Sequence, residues 1–191
     1  MKKGFSMKKD HVALIVIDMQ RHFCDKNSNF FVPDSDRLAE TIKGLIDLFR
    51  RHDRPVIFTR HIDSDAPDNL MLRWWTEKIS EKDPMSMIVD VLDVGESPVV
   101  IKHQYDGFLN TQLEKILREK SIRQVVISGV LTNLCCETTA RSAFMRGFEV
   151  YFLKDGTATF TDQMHEAALL NLSYGFATVI AIEAAIAALT S

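Results

Sequence analysis

Short, almost continuous apolar runs recur along the chain and alternate with amphipathic segments. Six of them have the length and the β-branched content of buried strands. These runs are 12–17, 56–59, 99–101, 125–128, 150–153 and 178–182. Strands that are apolar on both faces, with helices between them, are typical of a sheet that is covered on both sides. The pattern therefore predicts an α/β fold with an open, mostly parallel six-stranded sheet and helices on both faces.

Helical periodicity fills the gaps between the runs. After the capping residues Asp34 and Ser35, apolar side chains recur every three or four residues as far as Phe49. Further helices are predicted from 111 to 118, from near 135 to a stop at 147, over 161–174 and over 183–189. The stretch 61–95 has no clean period, and we interpret it as an excursion over one edge of the sheet.

Composition narrows the possible partners. The chain has 191 residues, 46% of them hydrophobic and 26% charged, which suits one globular domain. We predict a single domain over 1–191, with 1–11 as a flexible N-terminus. The formal net charge of −3 provides no cationic surface for nucleic acid or an anionic membrane. The expected partner is a small molecule.

Cysteine usage and apolar run lengths predict the compartment. Cys24, Cys135 and Cys136 are an odd number, and a bridge between the two adjacent residues would be strained. Reduced thiols in the cytoplasm are the better interpretation. The basic start of the chain is followed by only six apolar residues before Asp18, and no apolar run is long enough to span a bilayer. We predict a cytoplasmic protein with no signal peptide and no membrane segment.

Three reactive side chains follow predicted strands: Asp18, Lys102 and Cys135. The carboxyl ends of parallel strands share one edge of a sheet, so these side chains can meet. A cysteine at a helix start has a lowered pKa, and the free N–H groups there can bind an oxyanion. A carboxylate can move the thiol proton while an ammonium stabilises negative charge. Each of these residues also has a structural explanation, because aspartate is common in turns, lysine at the surface and cysteine in the core. The spacing alone names no reaction.

Three blocks of sequence resemble the isochorismatase-like cysteine hydrolases. They are ALIVIDMQ at 13–20, Lys102 leading into YDGFLNTQL at 105–113, and GVLTNLCCETTAR at 129–141. They occur in the family's order, and the similarity extends over about 12–185. The resemblance implies a Rossmann-like three-layer sandwich and a triad of Asp18, Lys102 and Cys135. In that triad Cys135 would attack a carbonyl to form a thioester-like acyl-enzyme.

The resemblance also implies the geometry of the loop before the nucleophile. It implies a cis peptide between Val130 and Leu131, and an oxyanion hole formed by the backbone N–H groups of Leu131 and Cys135. We interpret Cys136 as helix packing, with a resolving thiol in an oxidation cycle as the alternative.

Two departures from the family pattern narrow the chemistry. Nicotinamidases of this family bind zinc through Asp-x-His and a further His, whereas this chain has His61-Ile62-Asp63 and no other His before His103. We therefore predict no metal and no other cofactor. Members that hydrolyse isochorismate lack a cysteine at the nucleophile position, so that reaction is disfavoured here. The favoured reaction is cleavage of a C–N bond in a small amide, ureide or carbamoyl compound.

The alternative function is a non-catalytic or redox-active member that binds a small metabolite or senses oxidant through Cys135 and Cys136. Substrate contacts are predicted for the aromatic residues Phe23, Trp74, Trp75 and Tyr105, with Arg73 beside Trp74 orienting a carboxylate. Equally, the two tryptophans could pack the excursion onto the domain or fill a subunit interface. Together with the apolar tail 181–189, they predict a homo-oligomer.

Overall fold

A computed structural model describes residues 7–190, and these residues form one six-stranded sheet. The strands are β1 (Val12–Ile17), β2 (Val56–His61), β3 (Val99–Lys102), β4 (Gln124–Val130), β5 (Glu149–Ala158) and β6 (Thr178–Ile180). Their order in the sheet is β3-β2-β1-β4-β5-β6, and every neighbouring pair is parallel. The predicted α/β fold class is confirmed, and in the described residues the sheet is wholly parallel.

The helices cover both faces of this sheet. They are α1 (Arg21–Cys24), α2 (Ser35–Arg51), α3 (Leu70–Trp74), α4 (Leu113–Glu119), α5 (Glu137–Met145), α6 (Asp162–Gly175) and α7 (Ile182–Thr190). Apolar side chains of α2 and α7 pack on one face, and those of α4, α5 and α6 pack on the other. Among the described residues, no helix combines the length and apolar character that crossing a membrane requires.

The central strand β1 is apolar without alternation, and its position between two cores explains why. Val12, Leu14 and Val16 belong to the core under α2, whereas the residues between them belong to the core under α5 and α6. Every residue of β1 is buried, because successive side chains point to opposite faces and both faces are covered. The outer strand β3 differs, since Val99 and Ile101 are 41% and 39% exposed. The prediction that all six strands are buried on both faces is wrong for this edge strand.

Strands β1 and β4 approach each other closely where both end. Gly129 has φ +115°, and a Cβ atom there would lie 2.1 Å from the carbonyl oxygen of Ile17. Only glycine permits this conformation and this contact. The close approach places the residue after β1 beside the loop that follows β4.

The β4–β5 register shifts between Ile127 and Gly129, and β5 continues to Ala158, past the predicted end at 153.

The remaining boundary predictions concern loops and the N-terminus. The excursion 61–95 contains α3 and two short 3₁₀ turns, Pro84–Ser86 and Asp90–Leu92. Of the predicted flexible N-terminus, residues 1–6 lie outside the described residues, and Lys9–His11 forms a 3₁₀ turn. The single-domain assignment stays a prediction.

Candidate active site

The three predicted reactive side chains meet at the carboxyl edge of the sheet. Asp18 follows β1 with a left-handed φ of 48°, Lys102 ends β3, and Cys135 lies in a π-helical turn, Thr132–Cys136, that follows β4. The Lys102 Nζ atom lies 2.7 Å from Asp18 Oδ2 and 3.4 Å from Cys135 Sγ. The lysine side chain reaches past β2, which separates β3 from β1 in the sheet.

Thr59 of β2 fixes the orientation of the Asp18 carboxylate. Its hydroxyl donates to Asp18 Oδ1 at 2.6 Å and accepts from the Asp18 backbone N–H at 3.1 Å. Oδ2 is close to the lysine ammonium, but no well-aligned hydrogen-bond donor points at it. The carboxylate therefore has one oxygen held by Thr59 and one oxygen paired with the Lys102 ammonium. Sequence reasoning missed Thr59, although a hydroxyl inside the apolar run 56–59 was a signal.

Lys102 keeps its charge although it is completely buried. Burial opposes that charge, but the Asp18 carboxylate raises the pKa of the ammonium above its ordinary value. Nζ also donates to the carbonyl of Gln104 at 2.9 Å. A fixed cation thus lies between the carboxylate and the thiol.

The prediction of a lowered thiol pKa at Cys135 is wrong. Burial raises the pKa of Cys135 to about 12, Lys102 opposes the rise and Asp18 adds to it. The sulfur lies in the π-helical turn before α5 and is almost entirely enclosed, so desolvation outweighs the helix dipole. The resting residue is a neutral thiol beside a carboxylate that can accept its proton.

The loop between β4 and the thiol exposes backbone donors. The peptide bond between Val130 and Leu131 is cis. The carbonyl of Leu131 accepts from the N–H groups of Leu134 and Cys136, both at 3.1 Å. Across the described residues, the N–H of Leu131 has no protein acceptor, and that of Cys135 has none outside its own turn. Both N–H groups are near the sulfur in sequence and suit a negatively charged oxygen.

His165 of α6 hydrogen-bonds to the turn that carries Cys135. Its Nε2 lies 2.8 Å from the Lys154 carbonyl oxygen, which can only accept, so Nε2 carries the hydrogen. Nδ1 lies 2.9 Å from Thr132 Oγ1 and therefore accepts from that hydroxyl in the neutral ring. Thr132 begins the turn that carries Cys135. No sequence pattern indicated this contact, because 33 residues separate His165 from Thr132.

A cavity that is open to solvent lies beside the thiol. Its walls are mainly aromatic and aliphatic. The lining residues are His22, Phe23, Phe30, His61, Asp63, Met71, Trp75, Glu77, Ile79, Tyr105, Leu131, Leu134 and Cys135. Three of the four predicted substrate-contact residues, Phe23, Trp75 and Tyr105, are among them, and Trp75 Nε1 donates to the Tyr105 hydroxyl at 2.8 Å.

Trp74 is a correction to the predicted substrate contacts. Its side chain is 77% exposed and it does not line the cavity. Helix α3 ends at Trp74 and the backbone becomes extended at Trp75, so the neighbouring indoles separate. Arg73 is likewise absent from the cavity wall and is not placed to orient a carboxylate there.

His22, His61, Asp63 and Glu77 form the polar end of the cavity. His61 Nε2 lies 3.3 Å from Asp63 Oδ1, and Asp63 Oδ2 accepts from the Ile79 N–H at 2.7 Å. A catalytic zinc needs three protein ligands arranged around an open position. Within residues 7–190, no group of three His, Cys, Asp or Glu side chains is arranged to hold a metal ion. His61 and Asp63 are instead paired with each other, so these residues do not fit a zinc site.

Comparisons with known proteins identify the family of this chain. The isochorismatase domain profile matches residues 12–184. Nicotinamidase 3 of Arabidopsis thaliana is 40% identical over 173 residues, which cover 88% of this chain and 83% of the relative. A cysteine hydrolase from Pseudomonas syringae pv. phaseolicola superimposes with a TM-score of 0.91 at 25% identity, covering 99% of this chain and 98% of the other.

A zinc-bound relative has the same fold. Pyrazinamidase of Pyrococcus horikoshii, solved in complex with zinc, superimposes with a TM-score of 0.82 at 28% identity and covers 90% of this chain and 99% of its own. The matched range, 12–184, includes all six strands and the residues Asp18, Lys102 and Cys135. The chain therefore belongs to the isochorismatase domain family.

Proposed function

We propose that this protein is a cysteine-dependent hydrolase that cleaves the C–N bond of a small amide, ureide or carbamoyl compound. The observation that carries the proposal is the contact of Lys102 Nζ with both Asp18 Oδ2 and Cys135 Sγ at the base of an aromatic cavity. Relatives named as a nicotinamidase and a pyrazinamidase support amide cleavage outside peptides.

Acylation begins with a neutral thiol. As Cys135 Sγ attacks the substrate carbonyl carbon, its proton passes to Asp18 Oδ2, the oxygen that Thr59 leaves free. The carbonyl oxygen becomes an oxyanion that the N–H groups of Leu131 and Cys135 stabilise, with the Lys102 charge nearby. Because thiol and carboxylate are both desolvated, proton transfer coupled to attack avoids an isolated buried thiolate.

Collapse of the tetrahedral intermediate breaks the C–N bond. Asp18 returns its proton to the departing nitrogen, which leaves as ammonia or an amine, and the acyl group stays on sulfur as a thioester. Water then attacks the thioester carbonyl while Asp18 accepts one water proton. The acid product leaves, and the proton on Asp18 returns to the Cys135 sulfur.

The alternative of a redox-active or purely binding protein has less support. Cys136 is completely buried, and burial raises its pKa well above the ordinary value. A resolving thiol must be reachable and must ionise to react. Cys136 instead packs in the core beneath α5, which favours the structural interpretation.

The reaction is tested by ammonia release from a panel of nicotinamide, pyrazinamide, benzamide and simple ureides. We expect Cys135→Ala and Cys135→Ser to abolish release while circular dichroism and melting temperature stay close to those of the native protein. The matched control, Cys136→Ala, keeps most activity. If activity survives in Cys135→Ala and disappears in Cys136→Ala, Cys136 is the nucleophile and the assignment of Cys135 is wrong.

We also propose a cytoplasmic homo-oligomer. Three free cysteines, all buried, support a reducing compartment, and exposed Leu70 and Trp74 on α3 are apolar surface that a second copy would cover. Light scattering at micromolar concentration tests this assembly, and a mass of one chain, 21.7 kDa, would reject it.

A further inference from the structure

We infer that Thr139 and Ser142 are positioning residues, and that helix α5 uses their hydroxyl groups to hold loop 103–112 at a fixed distance from Cys135. This loop is the segment that follows Lys102 at the end of β3 and leads into α4. The inference rests on the proposed function, because it takes Cys135 and Lys102 to be members of the catalytic triad. Neither Thr139 nor Ser142 lines the cavity, so neither is a candidate for direct contact with the substrate.

The two hydroxyl groups follow the nucleophile at helical spacing. Thr139 comes four residues after Cys135, and Ser142 comes three residues after Thr139 on the same helix, α5. Residues three and four positions apart are neighbours on the surface of a helix. The helix that begins at the thiol can therefore present both hydroxyl groups to one neighbouring segment.

That segment is loop 103–112, and three consecutive residues of it bond to α5. The Thr139 hydroxyl accepts from the Gly107 N–H at 2.9 Å and donates to the Tyr105 carbonyl at 3.4 Å. The Ser142 hydroxyl donates to Asp106 Oδ2 at 2.8 Å. The loop is thus attached to the helix through two backbone groups and the side chain between them.

The Thr139 contact is enclosed by protein. Thr139 is completely buried, and Gly107 is buried as well. A Cβ atom at Gly107 would lie 3.1 Å from Thr139 Cγ2, so the loop backbone packs directly on the helix. In the part of the chain that the structure describes, Thr139 Oγ1 is the one hydrogen-bond acceptor for the Gly107 N–H. Valine at position 139 would keep the shape of the side chain and leave this buried donor without a partner.

The position of the loop affects the triad through Lys102. Its Nζ atom donates to the carbonyl of Gln104 at 2.9 Å, and Gln104 immediately precedes the attached segment. The same atom lies 2.7 Å from Asp18 Oδ2 and 3.4 Å from Cys135 Sγ. A displaced loop would move the Gln104 carbonyl and, with it, the ammonium group between the carboxylate and the thiol. Because small displacements of reacting groups are costly, a loosened loop should slow the chemical step.

The loop also carries a natural reporter of its position. The Tyr105 hydroxyl accepts from Trp75 Nε1 at 2.8 Å, so the Trp75 indole senses where the loop lies. The chain has two tryptophans, and the other one, Trp74, is 77% exposed and does not line the cavity. Trp74→Phe therefore leaves Trp75 as the single indole fluorophore.

Steady-state kinetics test the role in the reaction, on whichever amide of the panel the native protein hydrolyses. We expect Thr139→Val to lower kcat by about tenfold or more with a smaller change in KM. Thr139→Ser keeps the hydroxyl and should retain most of kcat. Ser142→Ala should lower kcat less than Thr139→Val, because the Gly107 N–H keeps its acceptor. A native kcat in Thr139→Val, or an equal loss in Thr139→Ser, overturns the inference.

The matched control for the kinetics is Thr41→Val on α2. It makes the same substitution at an exposed hydroxyl that bonds to the Arg37 carbonyl of its own helix, and kcat should stay native. All variants are assayed below the melting temperature that circular dichroism gives for them, so that a loss of folded protein does not count as a loss of kcat.

Trp75 fluorescence tests the attachment of the loop without turnover. In the Trp74→Phe background, Thr139→Val should shift the emission to longer wavelength and increase its quenching by acrylamide. Tyr105→Phe, which removes the hydroxyl partner of Trp75, gives the reference for a lost contact, and Thr139→Ser should resemble the background protein. Unchanged emission in Thr139→Val overturns the inference. If Thr139→Val does not fold, Ser142→Ala takes its place, and native emission with native kcat in that variant has the same consequence.

Turnover and fluorescence together separate this inference from the proposed reaction. If the native protein hydrolyses none of the amides, while Thr139→Val shifts the Trp75 emission and Thr139→Ser does not, the reaction is wrong and the attachment of the loop stands. If the native protein hydrolyses an amide and Thr139→Val has the same kcat, the reaction stands and the positioning role is wrong.

Discussion

Lys102 Nζ lies 2.7 Å from Asp18 Oδ2, and both side chains are completely inaccessible to solvent. A buried ion pair gains from the low dielectric around it and costs desolvation on both sides. Each partner of this ion pair also contacts another group of the site. The Thr59 hydroxyl donates to the Asp18 carboxylate, and the Lys102 ammonium donates to the Cys135 sulfur.

Removing one partner of this pair should destabilise the fold as well as stop the reaction. Lys102→Met leaves the Asp18 charge buried and unpaired, and we expect the free energy of unfolding in urea to fall by about 3–5 kcal/mol. Turnover should fall by about 100-fold or more, the scale of losing one preorganised electrostatic contact. In the double variant Asp18→Asn with Lys102→Met, much of the stability should return without the activity. A double variant no more stable than Lys102→Met contradicts the pairing argument.

The raised pKa of Cys135 predicts how its alkylation depends on pH. Below a pKa of about 12, the thiolate fraction rises about tenfold for each pH unit. The rate of iodoacetamide modification, followed by mass spectrometry on Cys135, should therefore increase without a plateau from pH 7 to pH 10. Cys135→Ser, which lacks the target sulfur, serves as the control for labelling elsewhere. A plateau below pH 8 would indicate a stable thiolate and an activated resting nucleophile.

His165 is a positioning residue whose loss should affect the chemical step more than binding. Replacing it removes the acceptor for the Thr132 hydroxyl and loosens the turn that carries Cys135. We expect His165→Leu to lower kcat by about 10-fold to 100-fold with little change in KM, because small displacements of reacting groups are costly. Thr132→Ser keeps the hydroxyl and should retain most of kcat, whereas Thr132→Val should resemble His165→Leu. A rise in KM with unchanged kcat in His165→Leu would place its effect on substrate binding.

Activity should survive removal of metal ions. His61 and Asp63 are engaged with each other, and in the described part of the chain no third ligand completes a metal site around them. Prolonged dialysis against EDTA or dipicolinate, followed by the amidase assay, should leave most of the activity intact. Loss that added zinc restores would make His61 and Asp63 the first ligands to mutate.

The sequence by itself determined the elements of the sheet and the residues at its active edge. Each strand is specified locally, since a strand covered on both faces must be apolar throughout, as β1 is. The positions of Asp18 and Lys102 at strand ends follow from parallel topology, which collects carboxyl ends at one edge. The ends of strands and helices were harder to predict from the sequence. The extension of β5 to Ala158, for example, depends on its pairing with β4.

Only the tertiary structure decided the chemical state and the surroundings of those residues. The helix dipole is visible in sequence and suggested a thiolate at Cys135, but the opposing desolvation depends on how completely distant segments enclose the sulfur. Likewise, adjacent indoles are equivalent in sequence, and the end of α3 leaves Trp74 in solvent and Trp75 in the cavity wall. Thr59 and His165 hold the site through contacts that span 41 and 33 residues of chain, distances over which spacing carries no information.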